Sequence, residues 1–192
     1  MRFHWIAAFL VASISAAGRD AVENVSVDVR IGDTLTSPRL LESNKGLVSE
    51  IFKNIGVQID WQTDNNRPDA GKPFFEIRVI PLAPTSATAE ALASMRLAGS
   101  AITVYEDRVR QRLRRAHPAA AKVALAYVIA HELAHAMQGI ARHSDRGIMK
   151  AQWSNDDFTT MLFHKLEFAS SDVELIRTGL GLGLARADLG AK

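Results

Sequence analysis

One apolar segment constrains the fold of this chain of 192 residues more than any other feature. From Pro118 to about Gln138 the residues favour a helix and are apolar nearly all round, which is typical of a helix buried inside a domain. The segment nevertheless contains His131, Glu132 and His135, and burying polar side chains that have no partner is costly. The sequence therefore predicts a central helix whose polar groups bind a partner.

The composition indicates one compact domain with a substantial core. Hydrophobic residues make up 47% of the chain and charged residues 23%, close to the average of globular proteins. No internal repeat and no linker divides the sequence, so we expect a single domain over residues 18–192. The formal net charge of +2 indicates neither a nucleic acid nor a membrane as the partner.

The first residues are typical of a secretory signal peptide. Arg2 supplies a positive start, an apolar stretch runs from Ile6 to Ala17, and small residues follow it. About a dozen apolar residues are too few for a spanning helix, which needs roughly 20. We therefore expect residues 1–17 to be a signal peptide that is cleaved near Ala17 or Gly18. The protein would then be exported, to the periplasm or outside the cell, with no stable membrane insertion afterwards.

In the rest of the chain the strand patterns, with one early helix among them, come before the other helix patterns, and we expect an α+β domain. Apolar and polar residues that alternate, or β-branched residues at the centre, predict four strands: Val25–Ile31, Val57–Gln62, Phe74–Leu82 and Ala98–Val109. Three further helices are predicted, one from an N-cap at Ser37 to a glycine stop at Gly56 and two near Asn155–Phe168 and Ser171–Leu180.

The stretch "HELAH" from His131 to His135 has the spacing of a metal site. The two histidines are four residues apart, so on a helix both imidazoles project from one face and can chelate a single ion. The chain has no cysteine, so such an ion must be bound by His, Asp, Glu or water. Glu132 lies beside the pair, where its carboxylate can take a proton from a water on the metal. The pattern therefore predicts one catalytic Zn²⁺ ion with Glu132 as the general base.

A catalytic zinc site usually has three protein ligands, so a third ligand is expected downstream. The candidates are His143, Asp145, His164 and Glu167. Gly139 can end the helix in a left-handed cap, after which the chain can turn back beneath the metal. His143 is the first ligand-type residue on that path, and we predict that it is the third ligand.

The segment from His131 to Met149 resembles the active-site motif of the metzincin metallopeptidases. The HExxH motif, the glycine that ends the helix, the third histidine and the methionine turn of that family correspond to His131, Glu132, His135, Gly139, His143 and Met149. The stretch "HSDRGIM" is similar to the matrixin form of the motif. The glycine comes one residue later than in the family and the third histidine two residues later, so the connecting loop must be longer.

This resemblance implies a metzincin-like fold: a twisted, mostly parallel sheet of about four strands, a long active-site helix, a Met-turn and a C-terminal helix. It also implies zinc-dependent endopeptidase activity on a peptide or protein substrate, with Met149 as a hydrophobic floor under the zinc. The strand "AGSAITVY" would be the edge along which an extended peptide pairs. No nucleic acid partner is expected, and the sequence does not set an oligomeric state.

Two alternatives remain open. In a gluzincin-type metallopeptidase the third ligand is a glutamate on a later helix, and Glu167 would take that role. In a non-catalytic exported zinc-binding protein the metal would be structural, and Glu132 would not act as a base. Of the weaker features, the arginine run from Arg108 to Arg115 favours a solvated face over a site for an acidic partner. The glycine-rich tail "GLGLGLARADLG" favours a mobile segment.

Overall fold

The computed structural model describes residues 25–31, 38–63, 71–88, 91–95, 101–116, 120–163 and 165–181. Within these ranges the chain forms five strands and five helices, in the order β1 (Val25–Ile31), α1 (Pro38–Lys53), β2 (Val57–Gln62), β3 (Phe74–Ile80), β4 (Ala93–Met95), β5 (Ala101–Tyr105), α2 (Glu106–Ala116), α3 (Ala121–Gln138), α4 (Asn155–Phe163) and α5 (Ser170–Gly179). The predicted signal peptide, Ser37, His164 and most of the glycine-rich tail lie outside the described residues.

The strands form one mixed sheet in the order β2-β1-β3-β5-β4. Strands β2, β1, β3 and β5 are parallel, whereas β4 is antiparallel to β5. The expected mostly parallel sheet is thus confirmed, with five described strands instead of about four. The additional strand, β4, spans only Ala93–Met95, and three residues are too few to show the alternation from which a strand is predicted.

The fourth predicted strand, Ala98–Val109, is wrong in its second half. Strand β5 ends at Tyr105 and helix α2 begins at Glu106. Glu106 and Asp107 lie in the first turn of α2, where carboxylates interact favourably with the helix dipole. Asp107 Oδ1 also accepts a hydrogen bond from the Ala83 amide (3.0 Å). The arginine run therefore begins on a helix, directly after the strand.

Strand β5 is also not the edge that the family resemblance implied. It pairs with β3 on one side and with β4 on the other, so among the described strands β4 is the outer one at this end of the sheet. An extended peptide that adds to this end must therefore pair with β4. The first of the late helices is shorter than predicted, because α4 ends at Phe163 and the backbone of Lys165 takes a left-handed φ of 57°.

Helix α3 is buried, as its composition predicts. All side chains from Ala124 to Ala130 are buried, as are Leu133 and Ala134. The helix packs against β3, β4 and β5 and against the other four helices, and residues from the sheet and the helices belong to one hydrophobic core. Among the described residues, no helix has both the length and the apolar character needed to span a membrane. Packing on all sides makes α3 a rigid support for the polar groups that it carries.

Candidate metal centre

His131 and His135 lie one turn apart on the same face of α3, as their spacing predicts. Their Nε2 atoms are 3.1 Å apart. His143 comes from the loop after α3, and its Nε2 lies 3.3 Å from Nε2 of His135. Within the described part of the chain, these three imidazoles are the group of ligand-type side chains whose ligand atoms all lie within 4.8 Å of one another. The structure thus brings together the three histidines that the sequence singled out.

Gly139 ends α3 and begins the loop that returns His143 to the helix. Its φ of 68° is left-handed, and its amide donates to the His135 carbonyl (3.0 Å). Further along, the Ser144 amide donates to the Met149 carbonyl (2.8 Å) and closes the loop on itself. The predicted left-handed cap is confirmed, and the longer loop still delivers the histidine.

Backbone carbonyls orient both helical histidines. His131 Nδ1 bonds to the Ile148 carbonyl (2.8 Å), and His135 Nδ1 bonds to the Ile140 carbonyl (3.2 Å). Because a carbonyl only accepts, each Nδ1 must carry the hydrogen, and each neutral ring presents a lone pair at Nε2. The two lone pairs then face each other across 3.1 Å, where neither ring can donate to the other. A cation between the rings would accept both lone pairs and remove their repulsion.

The donor set fits a zinc ion. Two nitrogens bound to a tetrahedral zinc at about 2.0–2.1 Å lie about 3.3 Å from each other. The Nε2 of His135 is 3.1 Å from that of His131 and 3.3 Å from that of His143. Burial lowers the pKa of His131 to about 4 and also lowers the pKa of His135. Both rings are therefore neutral at pH 7, which is the form that binds a metal.

One buried carboxylate holds both residues that flank His143. Asp172, in the first turn of α5, is 1% exposed. Its Oδ1 accepts hydrogen bonds from Arg142 Nη1 (3.1 Å) and from the Ser144 hydroxyl. The sequence contained no signal for this role, since Asp172 follows His143 by almost thirty residues and its partners are set by tertiary packing.

Glu167 contributes its backbone to this region and not its carboxylate. Its side chain is exposed, and its carbonyl accepts a hydrogen bond from the Ile148 amide (3.0 Å). The same carbonyl explains Gly147, because a Cβ built there would lie 2.3 Å from it and the backbone has a φ of 74°. Asp145 is likewise exposed and outside the histidine group, and His164 lies outside the described residues.

Trp153 shares a carbonyl with His131. Its indole Nε1 donates to the Ile148 carbonyl (3.2 Å), which also accepts from His131 Nδ1 (2.8 Å). The indole meets the imidazole of His131 edge-on, with centroids 5.8 Å apart and planes at 89°. Met149, the next residue after Ile148, is fully buried. Sequence reasoning missed Trp153, because only the fold brings it against the histidine.

A cavity of about 320 Å³ adjoins the histidines. It is lined by Ala124, Val128, His131 and Glu132 of α3, Val109 and Arg112 of α2, residues 91–93, His143, residues 150–153 and Phe158. The volume is within the range of small ligand sites. Burial raises the pKa of Glu132 to about 7, so its carboxyl group exchanges protons readily near neutral pH. A molecule in the cavity can therefore meet both the metal ligands and a proton acceptor.

Solved structures provide the similarity between this chain and known proteins. No protein-family model and no curated protein matches the sequence. Among solved structures, the chain is similar to the crystal structure of archaemetzincin from Methanopyrus kandleri, with a TM-score of 0.52 and 14% sequence identity. The match covers 83% of this chain and 97% of the other. At that identity the likeness shows a shared fold, and this chain therefore has a metzincin-like fold.

Proposed function

We propose that this protein is an exported zinc-dependent endopeptidase. The observation that carries the proposal is the convergence of three imidazole nitrogens, two of them on rings oriented by backbone carbonyls, beside a cavity lined by Glu132. The fold shared with archaemetzincin, whose name refers to the metzincins, supports the same conclusion. Export rests on the signal-like pattern of residues 1–17.

The residues have distinct roles in this proposal. His131, His135 and His143 would hold the zinc ion through Nε2. When bound, zinc supplies a Lewis acid that polarises the scissile carbonyl and lowers the pKa of a water molecule to about 7. Glu132 accepts the proton of the attacking water at its carboxylate and donates it to the leaving amine. The raised pKa of Glu132, about 7, suits a group that must both take up and release a proton.

The two alternative functions have less support. The gluzincin-type alternative requires Glu167 as the third ligand, but its side chain is exposed and does not belong to the histidine group. A structural zinc in a non-catalytic binding protein usually has a closed set of four ligands. The histidines here instead border a cavity that also contains a carboxyl group. That arrangement favours catalysis over a purely structural role.

Replacement of the proposed base tests this function. In the zinc-loaded protein, Glu132→Gln should lower the rate of hydrolysis of an unfolded protein substrate by about 10²- to 10⁴-fold, because the proton acceptor is lost. Zinc content, measured by elemental analysis, should stay at one ion per chain, because Glu132 is not a ligand. Glu167→Gln serves as the control and should retain full activity. An active Glu132→Gln protein, or one that has lost its zinc, would contradict the assignment.

A further inference from the structure

The arginine-rich helix α2 contributes to the cavity beside the three histidines, a position that the arginine run alone did not indicate. Val109 and Arg112 are three residues apart on α2, and both line the cavity. Arg110, which lies between them in sequence, has a side chain that is 61% exposed and pairs with Glu106. The described arginines of α2 are therefore not equivalent, and of Arg108, Arg110 and Arg112 it is Arg112 that lines the cavity.

The cavity is long enough to take an extended side chain. Along α3 it reaches from Glu132 and His131 back to Ala124, seven residues before the histidine, which corresponds to about 10 Å of helix axis. Val109 and Val128, both buried, give it apolar walls. A side chain with a methylene stem would bury apolar surface in this space.

The charges on the wall favour a carboxylate. Arg112 and Lys150 bring positive charge to the cavity, and among the described residues that line it Glu132 is the one acidic residue. Lys150 is paired with Asp157. Arg112 also interacts with other groups of the protein, but a guanidinium has five N–H donors and can bind a carboxylate in addition. The cavity thus combines apolar walls with a guanidinium.

We infer that this cavity selects substrates with a glutamate next to the scissile bond, and that Arg112 determines the preference. The inference rests on the proposed function, because the cavity adjoins the histidines and Glu132. The methylene groups of the substrate glutamate would lie against Val109 and Val128, and its carboxylate would bind the planar fork of Arg112. A substrate lysine would bring a second positive charge beside Arg112 and would be rejected.

Matched peptides test this preference. Two series vary the residue before and the residue after the cleaved bond, each with Glu, Gln or Lys, where Gln has the shape of Glu without its charge. In one of the series, kcat/KM of the zinc-loaded full chain should be at least about tenfold higher for Glu than for Gln, and lowest for Lys. Arg112→Gln should bring the Glu/Gln ratio close to one. Arg110→Gln, on the same helix but exposed, should leave the ratio unchanged.

Two results would overturn the inference: a wild-type protein that cleaves Gln and Glu peptides equally well in both series, or an Arg112→Gln protein that keeps the preference for Glu. If no peptide is cleaved, the proposed function fails, and binding of the same peptides is measured by the fluorescence of Trp153, which lines the cavity. Tighter binding of Glu peptides that disappears in Arg112→Gln would then support a carboxylate site without catalysis. Equal binding of Glu and Gln peptides would overturn the inference.

Discussion

Two of the three histidines lie on a buried helix, whereas the third lies on an exposed loop. His131 and His135 are placed by one turn of α3, and residues between them in sequence are sufficient to set their spacing. His143 depends on distant residues, since its neighbours Arg142 and Ser144 bond to Asp172, which lies 30 and 28 positions away. The helix side of the site is thus encoded locally, and the loop side is encoded by tertiary contacts.

Removal of the loop histidine should have the largest effect on this arrangement. His143→Ala should weaken zinc binding by more than about 100-fold, because loss of a ligand exceeds the 10- to 100-fold effect usual for residues behind the ligands. Glu167→Ala removes an exposed carboxylate from the same part of the molecule and should leave the affinity unchanged. Competition with a chromophoric chelator measures both affinities.

The opposite result would reverse the comparison. If Glu167→Ala lost zinc and His143→Ala kept it, the third ligand would be Glu167, and the loop histidine would not bind the ion. If both variants lost zinc, His143 would be assigned as a ligand only when a structure of the zinc-loaded wild type contained a bond between His143 and the ion.

The next largest effect is expected at Glu132, on the helix side, and concerns the stability of the zinc-free protein. Burial raises its pKa from 4.5 to about 7, so between these values the folded state binds a proton that the unfolded chain has released. The free energy of unfolding therefore falls as the pH rises through this window, by about 3 kcal/mol in full. Glu132→Gln removes the titration, so the zinc-free variant should be the more stable protein at about pH 8. Near pH 4 this difference should vanish.

Urea unfolding in the presence of a chelator, followed at several pH values, measures this difference. A wild-type protein that is as stable as Glu132→Gln at every pH would show that the carboxyl group is hydrated in the folded state. Ionisation of Glu132 would then not lower the free energy of unfolding.

A smaller effect is expected from the residue that anchors the loop. Asp172→Asn removes the negative charge that Arg142 and Ser144 bind, so zinc affinity should fall by about 10- to 100-fold. Glu174→Gln alters an exposed carboxylate on the same helix and should have no effect. Far-UV circular dichroism of the two variants should be the same, because α3 does not depend on Asp172. A full loss of helix signal in Asp172→Asn would mean that the two sides of the site are not separable.

The smallest effect on zinc affinity is expected at Trp153, which contacts His131 on the helix side of the site. Trp153→Phe removes the indole donor to the Ile148 carbonyl but keeps an aromatic ring against His131. Since that carbonyl still accepts from His131 Nδ1, zinc affinity should fall by less than about tenfold. The control is Trp61→Phe, whose indole bonds to the Ser49 hydroxyl, away from the site. Identical zinc affinities for the two variants would show that Trp153 does not position His131.

The same division explains how much of the molecule could be predicted. The buried helix, the histidine pair and the glycine stop follow from periodicity and backbone conformation within some twenty residues of sequence. Strand β4 is too short to have a pattern, and α2 begins where a strand pattern runs on without a break. The roles of Asp172, Trp153 and Arg112 depend on which elements pack together, and no local pattern contains that information. The third histidine was predictable as the nearest ligand-type residue, although what fixes it in place was not.

The position of Asp172 late in the chain affects the moment during synthesis at which the three histidines can come together. Synthesis reaches Ser144 before Asp172, and the 28 residues between them take roughly 1–6 s at typical elongation rates of about 5–20 residues per second. During that interval the nascent polypeptide has both helical imidazoles but no anchor for the third. Two histidines would hold a metal far less firmly than three, so a zinc ion would bind firmly only after helix α5 has been made and has packed against the loop. A copy of this chain that stops before α5 would therefore lack a complete set of positioned ligands, and firm metal binding would require synthesis through Asp172.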